Sequence, residues 1–267
     1  MWELSQKVST DAPYRLVCSI VRDSPSDHHG IDAPATRAHA PRWAVDLGTR
    51  VRDGFLRTVI STSVLTGIFF IAYFFVQRHP AYPPMLMPRT ALDLLIPFQP
   101  VAMLPYVSLW IYVGVGPGIQ RTFRDFAVYG LWLCALCVAG LAIFYFMPTQ
   151  VPVPILSATR FPGFDMLHRV DQTSNACPSM HVAVAIFTAV RVDASLRSMR
   201  VPLQVRMLNA TWFMVIAYST LAIKQHVVLD VAAGALLGLS FAMMSLRWRP
   251  GFDREAAFAA LAVPPVS

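Results

Sequence analysis

Six stretches of the chain run apolar and nearly free of charge, separated by polar or proline-rich segments. Thr58–Val76 is the first, and the longer Leu94–Gln120 holds the second. Phe126–Thr159 holds the third, expected to end near Met147-Pro148. A fourth runs on from Pro178 through Val182–Val190, a fifth covers Met207–Ile223 and a sixth covers Val231–Leu246. A helix that crosses a bilayer needs roughly 20 mostly apolar residues. The pattern therefore predicts an all-α, six-transmembrane-helix bundle over residues 56–248. A polar tail, 1–55, precedes it and a short tail, 249–267, follows. The fourth and sixth stretches are short, so their helices are expected to begin inside the polar motifs that precede them.

Composition agrees. The chain is 55% hydrophobic and 14% charged, with a mean hydropathy of +0.51, whereas soluble domains carry about 25% charged residues. Residues 78–105 hold seven prolines, from Pro80 to Pro105, and predict an irregular segment that enters the second helix late. Residues 148–177 open on Pro148, Pro152 and Pro154 and read as a second loop. The first apolar run lies behind a long polar tail, the wrong place for a cleavable leader. That tail contains Pro25, Pro34 and Pro41 and one interfacial stretch, Tyr14–Val21; His28-His29 are expected to be solvated.

The basic residues orient the bundle. Of 22 Lys and Arg, eight lie before Thr58, two (Arg121, Arg124) follow the second span, four (Arg191, Arg197, Arg200, Arg206) separate the fourth and fifth, and three (Arg247, Arg249, Arg254) follow the sixth. The other five are Arg78, Arg89, Arg160, Arg169 and Lys224. Positive charge favours the cytoplasmic side, so both termini are expected in the cytoplasm of a multi-pass plasma- or inner-membrane protein. The net charge of +7 follows from this orientation and from attraction to anionic lipid. A nucleic-acid partner is not implied, because the aromatics sit inside the spans rather than beside basic clusters. Cys134 and Cys137 read as small apolar residues of a membrane helix. Neither Cys18 nor Cys177 suggests a disulfide.

Two segments then stand out: Asn175-Ala176-Cys177-Pro178-Ser179-Met180-His181 and Lys224-Gln225-His226-Val227-Val228-Leu229-Asp230. Both fall on the face opposite the basic loops, where a membrane helix meets polar surroundings. Polar residues at membrane depth are costly and mark functional sites. His226 and Asp230 are four apart and share one helix face; a carboxylate on one imidazole nitrogen leaves the other free as base or nucleophile. Alone, such a pair equally describes a buried structural contact. Pro178 is expected to open the fourth helix, giving an anion site at its N-terminus with Ser179 and His181 in the first turn; alone, this reads equally as a serine cap beside an interfacial histidine. Lys224, Arg160 and Arg169 are the neighbouring cations able to neutralise a phosphoryl group. Arg160 and Arg169 read as well as loop solubilisers.

The order Pro178-Ser179-Met180-His181, then Ser219-Thr220-x5-His226-x3-Asp230, resembles the type 2 phosphatidic acid phosphatase superfamily. Its signatures are Lys-x6-Arg-Pro, Pro-Ser-Gly-His and Ser-Arg-x5-His-x3-Asp. The Asn-x-x-Pro-Ser-x-His and Lys-Gln-His-x-x-x-Asp forms are closest to its inositol phosphorylceramide synthase-like (inositolphosphotransferase) branch. The resemblance covers roughly residues 58–246. It implies a six-helix membrane enzyme without metal or other cofactor, acting on a lipid phosphate or phospholipid at the extracytoplasmic face. His226 would form a phosphohistidine, Asp230 would orient it, and His181 would protonate the leaving alkoxide. Ser179 and the backbone at Met180 would hold the phosphate, with Lys224, Arg160 and Arg169 as supporting cations. A lipid phosphate phosphatase is the leading expectation. A headgroup phosphotransferase is the alternative, and a non-catalytic scaffold or transporter stands third. The chain departs from the family pattern in three places. The first signature is absent, with Arg160-Phe161-Pro162 only an approximate stand-in. Met180 replaces glycine, and Thr220 replaces arginine.

Overall fold

The computed structural model describes residues 41–152 and 175–248. Six long helices and one short one form its frame: α1 (Arg42–Arg78), α2 (Ala91–Leu95), α3 (Met103–Gly118), α4 (Phe123–Phe146), α5 (Met180–Ser198), α6 (Leu203–Ala222) and α7 (Val228–Arg247). A 3₁₀ turn, Pro100–Ala102, leads into α3. Two short strands, β1 (Met85–Leu86) and β2 (Thr149–Gln150), pair in parallel.

Local chemistry sets the boundaries. Thr122 caps α4 by accepting from the Asp125 N–H at 3.0 Å, and Pro202 stands just before α6. Pro105 lies in the first turn of α3, where a missing N–H costs nothing. The expectation that Pro178 opens the fourth helix is corrected: Ser179 is the cap and Met180 the first helical residue.

Helix α1 begins at Arg42, inside the stretch assigned to the polar tail. Its first turns carry an i,i+4 ion pair, Asp46–Arg50 at 2.9 Å. Trp43 and Leu47 there pack onto Ile119, Val192, Leu196, Met199 and Val201. That cluster joins the start of α1 to the end of α3, the end of α5 and the start of α6. The arginine-rich ends of these helices therefore meet at one end of the bundle. The two histidine segments sit at the other.

Among the described residues, four helical segments are long and apolar enough to cross a membrane: α1, the 3₁₀ turn with α3, α4 and α7. The expected count of six is not reached on this measure, because α5 and α6 carry His181, Arg191, Asp193, Arg197, Arg206 and Asn209 within their lengths. The reason for α5 is its position. It packs against α3, α4, α6 and α7, and Val182, Ala183, Ala185 and Phe187 are fully buried. A helix enclosed by protein can carry polar groups that a lipid-facing one cannot: Thr188 of α5 meets the Tyr129 hydroxyl at 3.0 Å.

The closest helix pair is α5 with α7. A methyl group at Gly234 would sit 2.3 Å from the Ser179 carbonyl oxygen, and one at Gly238 would sit 2.1 Å from that of Ala183. Only glycine lets the two backbones touch in this way. The contact is sealed by the Ser179 N–H, which donates to the Asp230 carbonyl at 3.0 Å.

Candidate active site

The α5–α7 contact brings the two sequence segments together. The rings of His181 and His226 lie 5.9 Å apart, centre to centre. Behind His226, Nδ1 lies 3.5 Å from Oδ2 of Asp230. The same Oδ2 accepts from the Val227 N–H at 3.0 Å, which fixes the carboxylate in the first turn of α7. Asp230 is fully buried and His226 nearly so. On its other side His181 stacks on Tyr106 at 4.5 Å and meets the edge of Trp110 at 5.9 Å. Its orientation is thus held by aromatic faces of α3.

Backbone geometry delivers His226 to this place. After α6 the chain reverses at Lys224 (φ 62°), a left-handed conformation usually left to glycine. The N–H groups of Gln225 and His226 then both donate to the Thr220 carbonyl. Thr220, which stands where the family has arginine, turns its hydroxyl onto Ala217 O at 2.8 Å and faces its own helix. The Asn175 side is held by β2: Ala176 N–H donates to Thr149 O at 3.2 Å, and Cys177 N–H to the Thr149 hydroxyl at 2.8 Å. Burial, then the charge of Asp230, pushes the Cys177 thiol up to about 11.

Two residues inside the quoted segments were given no function by sequence reasoning. Asn175 (φ 61°) and Gln225 are 4% and 5% exposed, and their amide nitrogens have no hydrogen-bond partner among the described residues. Both line a cavity of about 750 Å³ together with Met180, His181 and His226. A buried polar group without a partner costs about 1–3 kcal/mol, so two donors left open beside two histidines point to an anion. Met180 does not crowd this space, because its thioether lies against Gly140 of α4. Ser179 is fully buried and accepts from the Val182 N–H at 3.4 Å. The first-turn N–H groups of Met180 and His181 have no partner within the helix, as at any helix start.

A second pocket, about 320 Å³, also borders His226 and is lined by Arg89, Asp93 and Lys224. The Lys224 ammonium donates to the carbonyls of Asp93, at 3.0 Å, and Ile96. Its pKa is lowered by burial; Asp93 opposes this and Arg89 adds to it. Asp93 accepts from the Thr90 N–H and hydroxyl at 2.7 Å each and from the Val228 N–H, the start of α7, at 2.8 Å. Burial would raise its carboxyl pKa, yet the hydrogen bonds from Thr90 and Val228 and the charge of Lys224 outweigh it and hold the value below normal. Arg89 donates to Pro152 O at 3.0 Å. Arg89 and Asp93 lie in the proline-rich segment, with no motif spacing to mark them. Arg160 and Arg169 lie outside the described residues.

Residues 98–244 match the profile of the PAP2 superfamily. The chain belongs to that superfamily. Its members are typically phosphatases or related phosphotransferases, and with four apolar helices of spanning length this is an integral membrane protein. No curated protein and no solved structure matches the chain. The PAP2 match takes in α3 to α6 and most of α7, and with them His181, His226 and Asp230. Both α1 and α2 lie outside it.

Proposed function

We propose that the protein is a membrane-embedded lipid phosphate phosphatase that works through a phosphohistidine at His226, without a metal. The observation that carries this is the convergence of His181 and His226, with Asp230 behind the latter, on a cavity holding two amide donors that have no partner among the described residues. Nε2 of His226 attacks phosphorus while Nδ1–H faces Asp230. The ester P–O bond breaks and His181 gives its proton to the departing alkoxide. Asn175 and Gln225 hold the non-bridging oxygens together with the α5 N-terminus and the cap at Ser179. Lys224 adds positive charge from the neighbouring pocket, with Arg160 and Arg169 as further cations. His181 then takes a proton from water, the hydroxide attacks the phosphohistidine, and inorganic phosphate leaves. The substrate comes from the bilayer, at the extracytoplasmic face, with both termini in the cytoplasm.

The pocket lined by Arg89 and Lys224 supports a second reading. It borders His226 from outside the main cavity and has room for a small alcohol. An acceptor hydroxyl bound there would resolve the intermediate in place of water, and a phosphoalcohol headgroup would pass between lipids, as in the inositol phosphorylceramide synthase-like branch. Purified protein given phosphorus-labelled lipid phosphate and quenched in alkali should show an acid-labile label on the chain. His226→Ala should lose the label and slow turnover on the order of 1,000-fold or more. Label or full turnover retained in that variant overturns the mechanism, and no turnover in either protein favours a scaffold or transporter. Release of inorganic phosphate marks the phosphatase; a new headgroup lipid marks the transferase.

A further inference from the structure

The 750 Å³ cavity is far larger than a phosphoryl group needs, and most of its wall is apolar. It runs from the histidines down the bundle between α1, α3 and α4. Its α1 wall is one helix face, Ser61, Leu65, Phe69 and Tyr73, at spacings of four. A face with that periodicity is built to pack against a core, yet between Thr58 and Tyr73 no residue of α1 is buried. Between those two positions the inward face is only half-buried: Leu65, Phe69 and Phe70 touch the core, with the Phe70 ring 5.1 Å from that of Trp110, and the remaining space is the groove. At the far end Thr58 is buried and a methyl on Gly54 would lie 3.4 Å from the Gly118 carbonyl oxygen, with the Arg57 guanidinium 4.4 Å over the Phe126 ring. At the histidine end Tyr73 meets Phe144 edge to face, 6.1 Å apart.

The result is a groove with a mouth and a floor. From Ser61 to Phe74 it follows α1 for roughly 20 Å at 1.5 Å per residue. Half of a bilayer's hydrocarbon core is about 15 Å. The groups able to bind an anion gather at the mouth: the amides of Asn175 and Gln225, without a partner among the described residues, and Arg89 and Lys224 across His226. Along the shaft α1 contributes the small hydroxyls of Ser61, Thr62 and Thr66, of which Ser61 bonds its own helix at Thr58 O. An apolar shaft that opens on anion-binding groups fits an amphiphile with an anionic head and a long tail.

We infer that this groove binds the hydrocarbon tail of the substrate and measures its length against the floor at Thr58, Gly118 and Phe126. The inference rests on the phosphoryl-transfer proposal above for the position of the head. It goes beyond the family match, since the α1 wall lies outside residues 98–244.

Gly130, Cys134 and Cys137 line the groove on α4, at increasing height above the floor residue Phe126. A Cβ at Gly130 would meet nothing within 4 Å and Gly130 lines the groove, and replacing a helical glycine favours the helix, so Gly130→Phe is expected to place its ring in the bottom of the groove. Cys134→Phe fills it one turn higher. A series of single-chain alkyl phosphates, from octyl to octadecyl, reads the effect. In the unaltered protein kcat/KM should rise with chain length, by up to about fourfold per added methylene, until the floor is reached. Gly130→Phe should cut off the longest chains, by about tenfold or more, and leave octyl phosphate unchanged. Cys134→Phe should cut off at a shorter chain than Gly130→Phe. Calorimetric binding of the matching alkyl phosphonates, whose C–P bond survives, should show the same order of cut-offs without turnover. One common profile for all three proteins, as when ordinary bilayer lipid fills the groove, overturns the tail site while the His226 label stands. A reversed order of cut-offs overturns it too. Loss of the label with length-ordered phosphonate binding intact would instead overturn the mechanism and leave the tail site.

Discussion

At the scale of single residues, the site is defined by groups whose hydrogen bonds are unfinished. Asn175 and Gln225 keep buried amide nitrogens without a partner among the described residues, a cost that folding alone would not retain. A hydrogen bond to a charged group contributes about 1.5–3 kcal/mol. Gln225→Leu or Asn175→Gly should therefore lower kcat/KM about 10- to 100-fold, and glycine at 175 keeps the left-handed φ of 61°. Thermal stability of the purified variants should stay level or rise, since an unsatisfied buried group is gone. Undiminished kcat/KM in both variants would remove these amides from the site. The histidines and Asp230 were legible in the sequence because a motif constrains their order and spacing. The amides stood inside the same segments, but nothing in a sequence shows that a polar group lacks a partner. Asp93 was illegible for a different reason: its bond to Val228 joins residues 135 positions apart.

At the scale of elements, the register of α5 on α7 decides whether the histidines meet. Gly234→Ala places a methyl 2.3 Å from the Ser179 carbonyl oxygen, against backbone that cannot swing aside. We expect a loss of about 1–3 kcal/mol in stability and a larger loss of activity, read by denaturation and turnover of the same preparation. Gly67→Ala is the matching control, because nothing lies within 4 Å of its added methyl; it should be neutral or stabilise by about 0.5–1 kcal/mol. Equal behaviour of the two would show that the helix contact does not matter. Apolar runs located α1, α3, α4 and α7 well. They missed the first turns of α1, where charged residues alternate with Trp43 and Leu47 and only packing reveals the inward face. They also missed β1 and β2, two residues each, too short to have a period.

At the scale of the whole molecule, charge and chemistry separate to opposite ends of the bundle. The basic ends of α1, α5 and α6 gather around Ile119 and Val192, while α2 and the β1–β2 pair cover the histidine end. By the preference of positive charge for the cytoplasmic side, we expect the site to face outward. Tyr82, 62% exposed beyond α1, and Arg200, exposed between α5 and α6, test this. In a background without native cysteines, a membrane-impermeant maleimide applied to intact cells should label Tyr82→Cys and spare Arg200→Cys until the membrane is opened. The reverse pattern would turn the site toward the cytoplasm. Composition made the membrane class legible. It could not give the number of spans, because hydropathy measures exposure to lipid and α5 is sheltered from it.

The main-chain bond from Ser179 to the Asp230 carbonyl has a consequence for how this site can change over generations. It couples the two motifs through backbone atoms that no side-chain replacement other than proline at 179 removes. The distance between the attacking and the protonating histidine is therefore hard to retune from within the motifs. Drift in that distance has to pass through Gly234 and Gly238, which do no chemistry. Among descendants of this chain, those two glycines and the small residues facing them on α5 should vary together or not at all.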